Sequence, residues 1–164
     1  MKILHVTASM SASWGGPSRV IADVTKVLSD KGVECSIFAS SGHRVGIDSI
    51  ETNHSNVNLF QTDVLSRVWT GHSINLYSAI RQAVDDCDIV HIHELWHYPH
   101  YAAYRAAIQS KKPYCVTLHG HLSPWALKNK SFRKTLYMKM VQRRILQKAV
   151  ALHAMTTEEI QHIR

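Results

Sequence analysis

Side chains able to do chemistry gather in short stretches of this chain. In the first, the apolar run Ile3-Leu4-His5-Val6 ends and a glycine turn follows, Trp14-Gly15-Gly16-Pro17-Ser18-Arg19. Pro17 suits the first turn of a helix, because its fixed φ is already helical and its missing N–H is one of the donors that lack partners there. Gly15 and Gly16 leave the backbone bare, so an anion can approach the N–H groups at the start of the helix, where the dipole favours negative charge. They form a candidate phosphate seat, set against the plainer reading of a simple turn. In the second, His93-Glu94-Leu95-Trp96-His97 has the spacing that places two zinc-binding histidines one helical turn apart, with the glutamate as base. That chemistry needs a helix. Here His93 closes a strand-like run, Pro99 follows His97, and the only later acidic residues are Glu158 and Glu159. No metal is expected, and these histidines read as loop groups that hydrogen-bond a ligand or the backbone. In the third, His119-Gly120-His121 sits just beyond another apolar run, with Trp125 close behind.

The elements that must position these stretches alternate along the chain. Strands are predicted at Ile3–Val6, Cys35–Ala39, Val57–Phe60, Asp88–His93, Tyr114–Leu118 and Val150–Ala154. Between them, helical spacing predicts helices over Pro17–Lys31 (Val20, Ile21, Val24, Val27, Leu28), Ser73–Asp86 (Tyr77, Ile80, Val84), the alanine-rich Pro99–Gln109, and Ser131–Lys148. Ser40 to Asn56 has loop composition. Thr156 and Glu159 have capping-box spacing and open a last helix. This alternation predicts an α/β fold, a doubly wound parallel sheet of Rossmann-like type, with residues 1–164 forming one domain. Ligands of such sheets bind beyond the carboxyl ends of the strands, where strand order reverses. The glycine turn, His93–Pro99 and His119–His121 should then open on one side.

Composition narrows the partners. The 164 residues are 45% hydrophobic and 19% charged, within the range of an ordinary globular protein. A formal net charge of +7 favours an anionic partner: a phosphorylated ligand, an acidic lipid surface or nucleic acid. The basic residues concentrate in Lys128, Lys130, Arg133, Lys134, Lys139, Arg143, Arg144 and Lys148, with no acidic residue among them. Such a helix could attract an anionic membrane, or present a solvated face above an inner stripe of Phe132, Leu136, Met140 and Val141. Nucleic acid is not expected, since neither interleaved aromatic platforms nor a reading helix is evident. Cys35, Cys87 and Cys115 are widely spaced and odd in number, as expected for reduced thiols. With no signal peptide and no apolar run near the ~20 residues of a membrane span, the expected location is cytoplasmic, at most peripheral on the inner membrane face.

Taken together, Gly15-Gly16-Pro17-Ser18-Arg19-Val20, Asp88-Ile89-Val90-His91-Ile92-His93-Glu94-Leu95-Trp96, His119-Gly120-His121-Leu122-Ser123-Pro124-Trp125-Ala126-Leu127 and Leu152-His153-Ala154-Met155-Thr156-Thr157-Glu158-Glu159 resemble, in order, segments of the amino-terminal domain of the retaining glycosyltransferases of family 4. These have the GT-B fold. The resemblance implies transfer of a hexose from a nucleotide diphosphate sugar to a saccharide or lipid-linked acceptor, with retention, in polysaccharide synthesis, and with no metal or other cofactor. It implies that Gly15, Gly16 and Arg19 meet the donor diphosphate, that His119 lies beside the transferred sugar as the catalytic histidine, and that His93, Trp96, His97, His121 and Trp125 line the acceptor side. It also implies a second, carboxy-terminal domain that carries most donor contacts, without which the chain should be inactive. The rival readings are a stand-alone saccharide- or phosphate-binding module and a nicotinamide-binding domain; the latter lacks a spaced G-x-G-x-x-G and an acidic residue after the second strand.

Overall fold

The computed structural model describes residues 1–40, 50, 52–128 and 135–163. Six strands, β1 (Lys2–Thr7), β2 (Glu34–Ser40), β3 (Asn56–Phe60), β4 (Ile89–His93), β5 (Tyr114–Thr117) and β6 (Ala151–His153), form one sheet in the order β3-β2-β1-β4-β5-β6. Every pairing is parallel. Parallel strands need crossovers, here supplied among others by α1 (Gly16–Asp30), α2 (Leu76–Asp86) and α3 (Tyr98–Gln109). Short helices α4 (Pro124–Lys128), α5 (Arg143–Lys148) and α6 (Thr157–Ile163) complete the described part. Strand order reverses between β1 and β4, which places a crevice beyond Thr7 and His93.

The strands are buried enough to read as apolar runs. Leu4, Val6, Val90, Ile92, Val116 and the alanines of α3 form one core with Ile80 and Val84 of α2, while Met10, Ile21, Ile37 and Ala39 form a second. The alanines Ala102, Ala103, Ala106 and Ala107 are fully buried, which brings α3 close against neighbouring elements. Cys35 and Cys87 are buried and Cys115 half-buried, all three free thiols.

The elements fall where expected, with local corrections. On α1 the buried face is Ser18, Ile21 and Thr25, whereas Val27 is exposed. The second helix starts at Leu76 rather than Ser73, because Ser73 to Asn75 form a turn that delivers Leu76 N–H to the Ser73 carbonyl (3.3 Å). The long basic helix is interrupted. A π-helical turn at Met138–Gln142 precedes α5, and its wider winding changes which residues face inward. Gln142 and Ile145 are buried there, while the expected inner residues Leu136 and Met140 are exposed and Val141 is half-buried. Phe132, Lys130, Arg133, Lys134 and most of the Ser40–Asn56 loop lie outside the described residues.

Candidate functional site

At the carboxyl end of β1 the chain leaves Thr7 and makes a 3-10 turn, Ala12–Trp14, capped by the Ser11 side chain accepting from Ser13 N–H (3.2 Å). Gly15 then adopts φ 100°, a conformation that L side chains rarely take, at the cap just before α1. A Cβ placed on Gly15 or Gly16 would meet nothing within 4 Å, so this backbone is open to a ligand.

The turn is fastened to β4 through a buried carboxylate. Trp14 Nε1–H donates to Glu94 Oε1 (2.6 Å), while Glu94 Oε2 accepts from Thr7 Oγ1 (3.0 Å) and Ala8 N–H (3.2 Å). Burial raises the Glu94 pKa, and these three donors oppose that rise. Glu94 has φ 72° and Trp96 φ 77°, left-handed conformations that non-glycine residues rarely adopt and that cluster at functional sites. The Trp14 ring meets His97 edge-on at a centroid distance of 5.6 Å, and His97 in turn neighbours His100 (5.3 Å) and His121 (6.2 Å).

A line of imidazoles runs from the sheet interior to the loop after β5. His5 Nδ1 lies 3.0 Å from His93 Nε2, and His93 Nδ1 lies 3.2 Å from His119 Nε2. Register explains the grouping: His5 pairs with His91, and His91 and His93, two residues apart on β4, point to the same face. His91 stacks on His93 at 4.0 Å and bonds Thr117 Oγ1 (2.7 Å), which also meets His153 Nδ1 (3.0 Å). Burial lowers the pKa of His5 and of His119 to about 4 and of His91 to about 3, and holds His93 and His100 well below 6.5. All five rings are neutral at pH 7.

The loop that carries His119 is held by α6. His119 has φ 51°, Gly120 φ 76°, and Gly120 N–H donates to Glu159 Oε1. Glu159 Oε2 accepts Met155 N–H (2.7 Å), and Thr156 Oγ1 accepts Glu159 N–H (3.2 Å). The expected capping box is thus half formed: the serine-like half is present, while the carboxylate binds Met155 and Gly120 instead of Thr156.

Among the described residues, two groups have the spacing to hold a cation, His5 with His91 and His93, and Glu94 with His97 and His100; within each, the ligand atoms lie within 4.8 Å of one another. The hydrogen bonds do not favour either. His100 Nδ1 accepts His97 N–H (3.4 Å), which leaves the ring proton on Nε2, facing Glu94 Oε2 at 3.8 Å, where a cation would need a bare nitrogen. His93 already has an imidazole at each nitrogen. The HExxH histidines also part company, since His93 faces His5 and His119 while His97 opens α3.

The structure therefore brings Gly15, Gly16, His97, His121 and His119 to one edge of the sheet. His121 Nδ1 accepts Leu95 N–H (3.2 Å), tying the loops after β4 and β5 together. His93 is 1% exposed and stands behind His119 rather than on the surface. Arg19 is exposed on the first turn of α1. The Trp96 backbone N–H donates to Gln142 Oε1 (3.3 Å) in the π-helical turn, the Trp96 ring lies 6.3 Å from that of Tyr137, and Trp125 is 80% exposed on α4. Sequence reasoning missed His5, Trp14, His100 and Glu159 as parts of the site. The available signal for His5 was a polar residue inside an apolar strand. A separate cleft of ≈ 470 Å³, lined by Lys2, Glu34, Asn56 and Cys87, includes the opposite, amino-terminal ends of β1 to β3.

A family model described as the glycosyl transferase 4-like domain matches residues 15–164. The chain belongs to this family. A comparison with curated proteins gives no match. Among solved structures, the lipopolysaccharide outer core galactosyltransferase WaaB in its apo form superimposes with a TM-score of 0.62 at 15% identity, covering 99% of this chain and 42% of that one. Anabaena Alr3699/HepE in complex with UDP and glucose gives 0.57 at 17% identity, over 93% of this chain and 37% of that one. A putative UDP-N-acetylglucosamine 2-epimerase from Listeria monocytogenes gives 0.55 at 12%, over 99% and 41%. At these identities the likeness shows the fold, an amino-terminal GT-B-type domain, and the family match identifies it as glycosyltransferase-like. The chain spans about two fifths of the length of these structures.

Proposed function

We propose that this chain is the acceptor-side domain of a retaining transferase that moves a hexose from a nucleotide diphosphate sugar to a saccharide or lipid-linked acceptor in cell-surface polysaccharide synthesis. The observation that carries the reading is the placement of the bare glycine turn and the His119 loop on one sheet edge, at the strand-order reversal, in a chain of this family. HepE was crystallised with UDP-glucose, which makes that nucleotide sugar the natural probe. Gly15 and Gly16 would take the diphosphate on the N–H groups of α1, with Arg19 as counter-charge. His119, neutral and half-buried, would hydrogen-bond the transferred sugar, while His97, His121, Trp96 and Trp125 would form the acceptor wall, with His93 acting through His119. No residue role in this scheme calls for a metal.

A second domain would supply the remaining donor contacts, so the chain alone is expected to bind without turnover. Cytoplasmic placement with peripheral attachment to an anionic membrane belongs to the same proposal. Exposed Trp125, Leu136 and Met140 lie near Lys128, Lys139, Arg143 and Arg144 in sequence, apolar and basic groups of the kind that dock on acidic lipid. Co-sedimentation with phosphatidylglycerol vesicles should fall as salt rises; binding that ignores lipid charge and salt would remove the membrane from the scheme.

The reading is tested by transfer of labelled glucose from UDP-glucose to a membrane extract, using the complete two-domain protein and this chain. Product from the former and none from the latter is expected. Saccharide binding with no product from either would favour the stand-alone binding module.

A further inference from the structure

The imidazole line has a polarity that the hydrogen bonds determine. A neutral imidazole donates from one nitrogen and accepts at the other, so the tautomers of His5, His93 and His119 are linked. Either His5 Nδ1–H donates to His93 Nε2 and His93 Nδ1–H donates to His119 Nε2, or both bonds run the other way. The two polarities differ at the buried end. His5 is fully buried and its Nε2 has no hydrogen-bond partner among the described residues. In the outward polarity that atom is a bare lone pair; in the reverse polarity it is a buried N–H with no acceptor, the rarer and costlier defect in folded proteins.

Resting on the proposed role of His119, we propose that His5 and His93 are positioning residues that lock His119 as its Nδ1–H tautomer. Locked in this way, His119 can only donate to a ligand at Nδ1, because its Nε2 is occupied as the acceptor of His93. A donor suits the hydroxyl oxygens of a sugar or the oxygens of a phosphate, and it is in place before the ligand arrives, which is what preorganisation requires. Neutrality of the whole line supports the scheme: His91 stacked at 4.0 Å on His93, and the burial of His5 and His93, oppose any charge that would scramble the tautomers. Glu94, the nearest buried carboxylate in sequence, is engaged with Thr7, Ala8 and Trp14.

The test is long-range ¹H–¹⁵N NMR of the imidazole rings in the ligand-free, ¹⁵N-labelled chain at pH 7.5, which separates protonated from bare ring nitrogens. The expected result is a single His119 tautomer with Nδ1 protonated and Nε2 bare. His5→Leu fills the space without donating and should let the His119 nitrogens shift toward a mixture. His5→Asn carries an amide nitrogen one bond beyond Cγ, as Nδ1 is, and should restore the single tautomer. An Nε2–H tautomer of His119 in the unmodified chain would overturn the inference, as would Leu and Asn variants with the same His119 signature. If both variants fail to fold, the unmodified spectrum still decides. Because no nucleotide sugar is present, the result is independent of whether the chain serves a transferase.

Discussion

At the scale of single residues, the two glycines of the first turn have different reasons to be glycine. Gly15 needs its φ of 100°, whereas Gly16 is the first helical residue and has open space at Cβ. Gly15→Ala should destabilise the chain by about 1 kcal/mol and Gly16→Ala should be neutral or slightly stabilising, as measured by urea unfolding. Both alanines still place a methyl on the proposed phosphate seat, so both should weaken nucleotide-sugar binding. His119→Ala in the complete enzyme should lower turnover by about 100-fold, the scale of losing a preorganised donor; unchanged turnover would remove that role. The glycine pair, His97, His119 and His121 were legible as candidate site residues because their spacing breaks the apolar pattern. Glu94 was legible only as part of a zinc motif. Its actual bonds run to Thr7, Ala8 and Trp14, some eighty residues away, and no local pattern encodes such a partner.

Among elements, strands and helices could be read from periodicity because a sheet covered on both faces demands apolar strands and amphipathic helices. The interrupted basic helix could not. A π turn is set by where Gln142 must reach, to the Trp96 N–H, and that is a tertiary demand. The same holds for α6, whose Glu159 is 95% shielded and spends its carboxylate on Gly120 and Met155. Glu159→Ala should cost about 2 to 3 kcal/mol, since it removes bonds to a charged acceptor and leaves two N–H groups unpaired. Hydrogen exchange at Gly120 should accelerate by more than at β1. Equal acceleration everywhere would mean that α6 stabilises the fold without holding the His119 loop.

For the whole molecule, the neutral histidines tie stability to pH. His5, His91, His93, His100 and His119 all have folded pKa values below their ordinary 6.5, so below that pH the unfolded chain binds protons that the folded chain refuses. Their contribution is fully present above pH 6.5 and is lost as pH falls, through about 4 for His5 and His119 and through about 3 for His91. Glu94 acts in the opposite sense, since its raised pKa favours the folded state on acidification. The histidines outnumber it, and each fully buried one contributes a slope of up to about 1.4 kcal/mol per pH unit. The chain should therefore lose stability as pH falls below 6.5, seen by circular dichroism as a falling urea midpoint; full stability at pH 4 would contradict the neutral line. The fold class was readable from strand-helix alternation, and the place of the candidate site from the rule for parallel sheets, while the face-to-face histidines depended on register between β1 and β4. Titration of the ¹⁵N-labelled chain with UDP-glucose decides whether the glycine turn and the His119 loop form one nucleotide-sugar site. The amides of Gly15, Gly16, Arg19 and Gly120 should shift together along one saturating curve. No shift at these residues, or shifts confined to the cleft by Lys2 and Glu34, would contradict it.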